Sequence, residues 1–376
     1  MSDVAVIGGG VIGLSCAREL ARSGASVTLL EALPAVGHGS SARANGGFRA
    51  QFTTPANIAF SLASIPELVA LERSNGGLGL HQTGYLLITG TEEGERALRA
   101  AYELQRSMGA PTIWLAPDEV TSRAPFVRPD GIRAGTFCAL DGFLDPAGVV
   151  AALLHEARSA GAEILTDAPV TAATGRVLVH GGGEVRADAI VNAAGAHARD
   201  VARLFGSDLP VEPVRRNLAH VLDDPGGGGL TPMIVDLDSG VLARREPAGG
   251  WIVAYADPDD PPGWDTALDP RFLEQLAERA PNRFPFLLDL PIDPARCWAG
   301  LYPETPDHHA IVGQDAAVPG LFHCAGFGGH GVMHAPAAGR AIAELVLRGR
   351  CDTFDLRPLR PSRFAEGDLV VETAVL

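Results

Sequence analysis

Apolar and polar positions are most regularly ordered at the start of the chain. Val4-Ala5-Val6-Ile7 is an apolar run that breaks on Gly8-Gly9-Gly10, a helix-like segment follows to Ser23-Gly24, and a second apolar run, Val27-Thr28-Leu29-Leu30, ends on Glu31. Strand, helix and strand in this order predict one βαβ half-unit that holds a dinucleotide. Each glycine of the Gly8-x-Gly10-x-x-Gly13 spacing has its own task. Gly8 allows the tight turn, Gly10 lets backbone amides approach a pyrophosphate, and Gly13 brings the helix close to the strand. The helix opens at Val11-Ile12, so its positive end faces the phosphates. Glu31 is placed to accept hydrogen bonds from a ribose hydroxyl, and its charge repels a 2′-phosphate. This stretch alone leaves FAD and NAD both open.

Further along, periodicity predicts a helix over 56–73 with Pro66 as a break or a new start, a strand over 83–88, a helix from Glu92 to Met108, and a short helix at Asp118-Glu119-Val120. Asp145-Pro146 opens a helix that ends near Ala160-Gly161, and strands are expected at 163–166, 175–180 and 184–191. The last of these runs into Asn192-Ala193-Ala194-Gly195, small residues that let the chain pass beneath a cofactor, although a buried strand with a tight exit reads the same way. Residues 210–295 alternate strand-like runs, among them Gly240 to Glu246 and Trp251 to Tyr255, with a helix from Pro270 to Ala280, which predicts a sheet-based cap. A four-glycine loop, 226–229, interrupts this region. Finally Leu321 to Ala325 reads as a strand, Gly326 to Gly331 as a glycine-rich loop, and the following residues as a helix through Val346 with Pro336 in its first turn. Amides at that helix end would stabilise the negative charge of a reduced flavin near N1 and O2.

Composition narrows the classes. A length of 376 residues carries one large or two moderate domains, and 46% hydrophobic with 20% charged residues is ordinary globular usage. A net charge of −15 argues against nucleic acid and against an anionic membrane as partners. No run approaches the ~20 apolar residues of a membrane span, and no basic leader precedes the first strand, which predicts a cytoplasmic protein. Five scattered cysteines without ligand spacing predict reduced thiols. His308-His309 lack further ligands at recognisable spacing and, as neighbours in a strand, would face opposite ways, so no metal is expected.

These pieces together resemble the D-amino-acid oxidase family of flavoproteins, in the branch of sarcosine oxidase, glycine oxidase and the proline dehydrogenase β-subunit. The resemblance rests on Gly8 to Glu31, Ala44-Asn45-Gly46-Gly47-Phe48-Arg49, Val191 to Gly195, Gly300 to His309, and Gly326 to His334, in the family's order. It implies an α/β plus α+β fold: a discontinuous Rossmann-like FAD-binding domain (1–80, 140–205 and 296–376) under an antiparallel-sheet substrate domain (81–139 and 206–295). It implies that FAD rests on the first motif with Ala32 beside Glu31, on Ser41, Arg43, Ala44, Asn45, Gly46 and Gly47, on Val170, and on Ala193, Ala194 and Gly195. At the flavin end it implies Gly300, Gly326, Gly328, Gly329, His330, Gly331, Val332 and Met333. Monomeric sarcosine oxidases attach flavin through a cysteine that matches Gly300 here, so FAD is expected to be non-covalent; Cys297, three residues away, reads as structural. The lysine that promotes reaction with oxygen matches Ile252, and a second lysine, which helps hold the substrate carboxylate, matches Met333. Both departures favour a dehydrogenase.

The implied activity is oxidation of the C–N bond of a small amino acid by hydride transfer to flavin N5, giving an imine. Sarcosine- or proline-like secondary amines come ahead of glycine and D-amino acids. Arg49 matches the arginine that grips the substrate carboxylate; the residue alone leaves open a surface position or a pyrophosphate contact. Tyr302 is expected on the substrate's carboxylate or amine, and Tyr255 more weakly so, each against a merely half-buried tyrosine. His330 reads as a general base or as a satisfied structural histidine. The alternative is a flavin-bearing β-subunit, with a partner subunit or homo-oligomer, that has little activity alone. An NAD-linked hydroxyacid dehydrogenase is a third reading, which the Gly326 to Gly331 loop disfavours.

Overall fold

A computed structural model describes residues 3–222, 229–257 and 259–374. Glycines 226–228 of the four-glycine loop lie outside the described residues. The first strand, Asp3–Ile7, is the centre of a six-stranded sheet in the order 311–314, 321–325, 189–192, 3–7, 26–30, 163–165. All pairings are parallel except that of the edge strand Ile311–Gln314. Both faces are covered: Val4, Val6, Leu29 and Val191 point into one apolar core and Ala5, Ile7, Leu30 and Ile190 into another. That is why these strands read as continuous apolar runs.

The helix Val11–Arg22 lies against Gly331–Arg348, and they meet where a Cβ on Gly339 would stand 2.5 Å from Ser15 Oγ. Arg18, fully buried, ties the first helix to Glu67 and Glu156 on the helices Pro55–Asn75 and Pro146–Ser159. The helix from Pro55 runs unbroken through Pro66, and Pro336 lies six residues into its helix rather than in its first turn. Burial of each helix face outweighs the one lost backbone bond. The expected strand at 184–191 is two strands, Gly183–Arg186 and Ala189–Asn192. The first joins Val170–Thr174 and Val177–His180 in a small antiparallel sheet.

The second large sheet has eight strands in the order 298–304, 212–221, 251–255, 241–245, 233–236, 85–89, 134–138, 113–115. Every pairing is antiparallel except that of Met233–Asp236 with Tyr85–Thr89. Strand Trp298–Glu304, expected within the third nucleotide-binding segment, belongs to this cap sheet. His308 and His309 sit in a turn, not in a strand, with φ +56° at His308. No described helix is long and apolar enough to cross a membrane.

Candidate active site

At the N-terminus of the first helix, Gly8 takes φ +109°, and a Cβ there would lie 2.5 Å from Ala193 O. A Cβ on Gly13 would fall inside the radius of Gly8 O, so strand and helix touch through backbone. The helix start has no acidic side chain and no side-chain cap from Gly10, and the amide of Val11 donates to Ser41 Oγ at 3.2 Å. Glu31, one residue past the second strand, accepts from the amides of Gly9 at 2.6 Å and Leu33 at 2.8 Å. Each of its oxygens keeps a lone pair. Ala193, Ala194 and Gly195, the last at φ +56°, close the other side. Val170 packs on the core under Ile7, Leu30 and Ala194. This groove fits an adenine dinucleotide: positive helix end, bare backbone and one acid just past the second strand.

The loop after the second strand crosses to the cap. Ser40 Oγ donates to Leu301 O at 2.7 Å, Arg43 Nη1 to Ala299 O at 2.7 Å, and Trp298 Nε1 to Arg43 O at 3.0 Å. A Cβ on Gly300 would stand 2.9 Å from Arg43 Cβ, so any side chain at 300 must displace that loop. Cys297 packs instead on the core behind the cap sheet. Gly46, at φ +79°, turns the loop onto Leu144, and Gly47 lies against the hydroxyl of Tyr85.

Cross-strand partners share a face of a sheet. The pairings Tyr302 with Val214, Gly300 with Arg216, His220 with Ile252, Ile252 with Arg244, and Met233 with Tyr85 therefore put all of these on one face, towards the loops. Tyr255 pairs with Asn217 and Val241 and points the other way. There it is buried under Arg279, whose guanidinium stands 4.2 Å from its ring. Period-two alternation thus removes Tyr255 from the site. Tyr302 is half-buried with Gly329 flat on its ring, where a Cβ would come within 2.6 Å. Gly328 holds the loop to the cap through Pro303 O at 3.0 Å, and Gly326 turns at φ +71°.

Arg49 is buried, not a surface residue. Its Nη1 donates to Gln51 O at 2.8 Å, its Nη2 to Ala374 O, and its guanidinium lies 4.2 Å over the Phe52 ring. Burial lowers its pKa, while Tyr85, Glu372, Asp141 and Tyr302 act to raise it again. Behind it Asp141, fully buried, accepts from Ala50 N at 2.7 Å and Gln51 Nε2 at 3.0 Å. Burial pushes Asp141 up to about 7 against these hydrogen bonds and the charge of Arg49. His330 caps the last long helix, edge-on to Phe52 at 4.8 Å and next to His334. Burial, then the charge of Arg49, hold its pKa well below the usual histidine range. The helix that follows begins with Gly331 and buries Val332 and Met333 in the core.

Sequence reasoning did not single out Tyr85, Arg216, Arg244, Asp141 or Glu372. Arg244 links the cap to the first loop through Asn45 Oδ1 at 2.8 Å and Asn45 O at 3.0 Å, and Arg216 lies 5.5 Å from the Tyr302 ring. Adjacent arginines within strand-like runs, Arg215-Arg216 and Arg244-Arg245, were the available signal, since a buried arginine needs polar partners. His308 pairs with Glu304 at 3.1 Å, while His309 turns inward to Thr54 at 2.8 Å, so the two diverge.

Three likenesses accord with this geometry. FAD-dependent oxidoreductase domain-containing protein 1 of Xenopus laevis is 30% identical over 428 residues, which span 100% of this chain and 85% of that protein. L-proline dehydrogenase from P. horikoshii superposes with a TM-score of 0.92 at 28% identity, over 98% of this chain and 99% of that one. Glycine oxidase from Geobacillus kaustophilus gives a TM-score of 0.84 at 27% identity, over 96% and 99%. The family model for FAD dependent oxidoreductases, DAO, matches residues 3–345, and the chain belongs to that family.

Proposed function

We propose that this FAD-dependent oxidoreductase oxidises the C–N bond of a small amino acid, with secondary amines such as sarcosine or proline as the first class. The observation that carries the reading is the convergence of Arg49, Tyr85, Tyr302 and His330 where the cap face meets the glycine loops 44–47 and 326–331. The neighbours named above, a proline dehydrogenase and a glycine oxidase, act on such compounds by name. The ligand-facing loops 8–13, 41–47, 193–195 and 326–331 hold non-covalent FAD in this reading. They come from the three segments 1–80, 140–205 and 296–376, with strand 298–304 lent to the cap formed by 81–139 and 206–295. The clash of any residue 300 side chain with Arg43 supports non-covalent binding. FAD would supply a two-electron acceptor for a hydride from a carbon bonded to the substrate's amine nitrogen.

The chain's own residues do the rest. Arg49 takes the substrate carboxylate with paired hydrogen bonds and so fixes the α-carbon. Tyr302 donates from the cap side. Because its basicity is depressed, His330 serves as a neutral wall and not as the acceptor of the amine proton. Ile252, buried on the cap face where relatives of the sarcosine oxidase type carry lysine, leaves oxygen a poor acceptor. An anaerobic screen of glycine, sarcosine, proline and both enantiomers of common amino acids should bleach the flavin with at least one of them. Loss of colour with none, in protein that carries stoichiometric FAD, refutes the reading, and fast peroxide formation refutes the oxygen prediction.

The second reading, a flavin-bearing β-subunit with little activity alone, has one feature in its favour. Leu369, Val370 and Val371 are consecutive and all exposed. A native mass in the source cell equal to the 39.1 kDa chain or a simple multiple of it refutes a different partner chain.

A further inference from the structure

The segment 369–374 inverts the usual sorting of side chains. Leu369, Val370 and Val371 stand 41%, 42% and 52% exposed, whereas Glu372 beside them is fully buried. Hydrophobic burial therefore does not hold this segment in place; hydrogen bonds to the acid do. Glu372 Oε1 accepts from Thr53 N at 3.0 Å, from Thr53 Oγ1 and from Ala374 N at 3.0 Å. Its Oε2 accepts from Thr54 Oγ1 at 2.9 Å and Asn57 Nδ2 at 3.0 Å. The amide of Glu372 donates to Asp307 O at 3.0 Å, and Thr373 N to Thr53 Oγ1 at 3.1 Å. Such a set of donors is what a buried carboxylate needs in place of water.

The next residue but one then reaches Arg49. Ala374 O accepts from Nη2, Gln51 O accepts from Nη1, and Phe52 lies under the plane. The direction of the guanidinium is thus set from three sides, and one side comes from a segment more than three hundred residues away. Glu372 also adds a negative charge that favours the cationic form of Arg49.

We propose that Glu372 is a positioning residue for Arg49: by locking residues 372–374 onto Thr53, Thr54 and Asn57, it holds the guanidinium at the angle that receives a substrate carboxylate. The proposal rests on the assignment of Arg49 to that carboxylate. Glu372 itself touches no substrate. An unheld arginine keeps its charge but loses its geometry, and misplacement of a binding group costs rate and affinity together.

The test uses the full-length FAD-loaded protein and the amino acid that bleaches it fastest, beside the same amine without its carboxylate, for example pyrrolidine for proline. Glu372→Ala should raise KM for the amino acid roughly tenfold or more, the scale of one lost hydrogen bond to a charged group. It should change kcat/KM for the decarboxylated amine by less than about twofold, because no carboxylate is to be gripped. Glu372→Gln keeps an acceptor oxygen without the charge and should fall between; it decides the matter if the alanine variant fails to retain FAD. Arg49→Ala is the control. If Arg49→Ala raises KM for the amino acid and neither Glu372 variant does, positioning is refuted while the role of Arg49 stands. If Arg49→Ala leaves KM unchanged, the role of Arg49 falls instead. A drop in KM in the Glu372 variants means that Ala374 O competes with substrate for Arg49, which also overturns the proposal. Equal losses on the amino acid and the amine reveal a merely structural effect and overturn it too.

Discussion

Asp141→Asn tests the electrostatics of the site most directly. Asp141 has no exposure to water, so burial pushes its carboxyl up to about 7 from the usual 3.8 despite the charge of Arg49. The sign follows from proton counting. Between those two values the unfolded chain has already lost the proton while the folded chain still holds it, so the folded state binds more protons and stability falls as pH rises. The contribution is complete below 3.8 and lost on passing about 7. At about 1.36 kcal/mol per unit, the whole shift is on the order of 4 kcal/mol, and the part between pH 5 and pH 8 is about 3 kcal/mol. Asparagine does not titrate: its oxygen keeps the bond to Ala50 N, while its amide faces Gln51 Nε2, which also donates to Tyr85 O at 3.0 Å and so resists a flip; the cost of that contact is the same at every pH and does not enter the pH dependence. Urea unfolding of both proteins at saturating FAD, from pH 5 to pH 8, gives the difference in unfolding free energy, from which all other titrating groups cancel. That difference should grow in favour of the variant by about 3 kcal/mol across the range. A difference that stays flat to within about 1 kcal/mol would mean that Asp141 is ionised throughout, with Arg49 a closer counterion than burial allows.

Other expectations follow from single contacts. Gly13→Ala forces the first helix away from Gly8 O and should weaken FAD binding roughly 10- to 100-fold in a fluorescence titration, the range of overpacking costs; an unchanged Kd contradicts the packing argument. Tyr255→Phe should leave kcat/KM within about twofold, because the hydroxyl points behind the cap sheet, and a tenfold loss would restore it to the site. Asp315→Ala removes the acceptor of His323 Nε2 (2.9 Å) and of Ser207 Oγ, and should cost about 3 kcal/mol in urea unfolding at pH 7. The bond to His323 is the largest cause that holds Asp315 well below the usual carboxylate range, so this contribution is present at neutral pH and lost as pH falls into the acid range; a cost that persists at low pH speaks against it.

What could be read from the sequence was what is local. The Gly8 to Glu31 unit, the glycine loops and the apolar strands appear where residue order predicts them, because turn chemistry and burial on both faces mark neighbouring residues. The direction of a cap side chain was not legible. Tyr255 and Tyr302 look alike in the sequence, and only the pairing of strands 212–221, 251–255 and 298–304 sends them to opposite faces. Pro66 looks like a helix break and Pro336 like a first-turn proline, yet both lie inside helices that pack against one another. Glu372 carried no signal at all, since an acid between Val371 and Thr373 reads as a solvated end until its five donors are brought to it by folding.

The order of the parallel sheet has a consequence for how the protein is made. Strand Asp3–Ile7 finds Ser26–Leu30 on one edge at once, but its other edge waits for Ala189–Asn192, and that strand in turn waits for Leu321–Ala325. At ~5–20 residues per second, the bare edge persists for on the order of 10 to 40 seconds of synthesis. During that time the nascent dinucleotide loop lacks Ala193 to close it. The emerging chain is therefore an unpaired apolar strand edge on the ribosome, open to chaperones and to mispairing, before it can hold its cofactor.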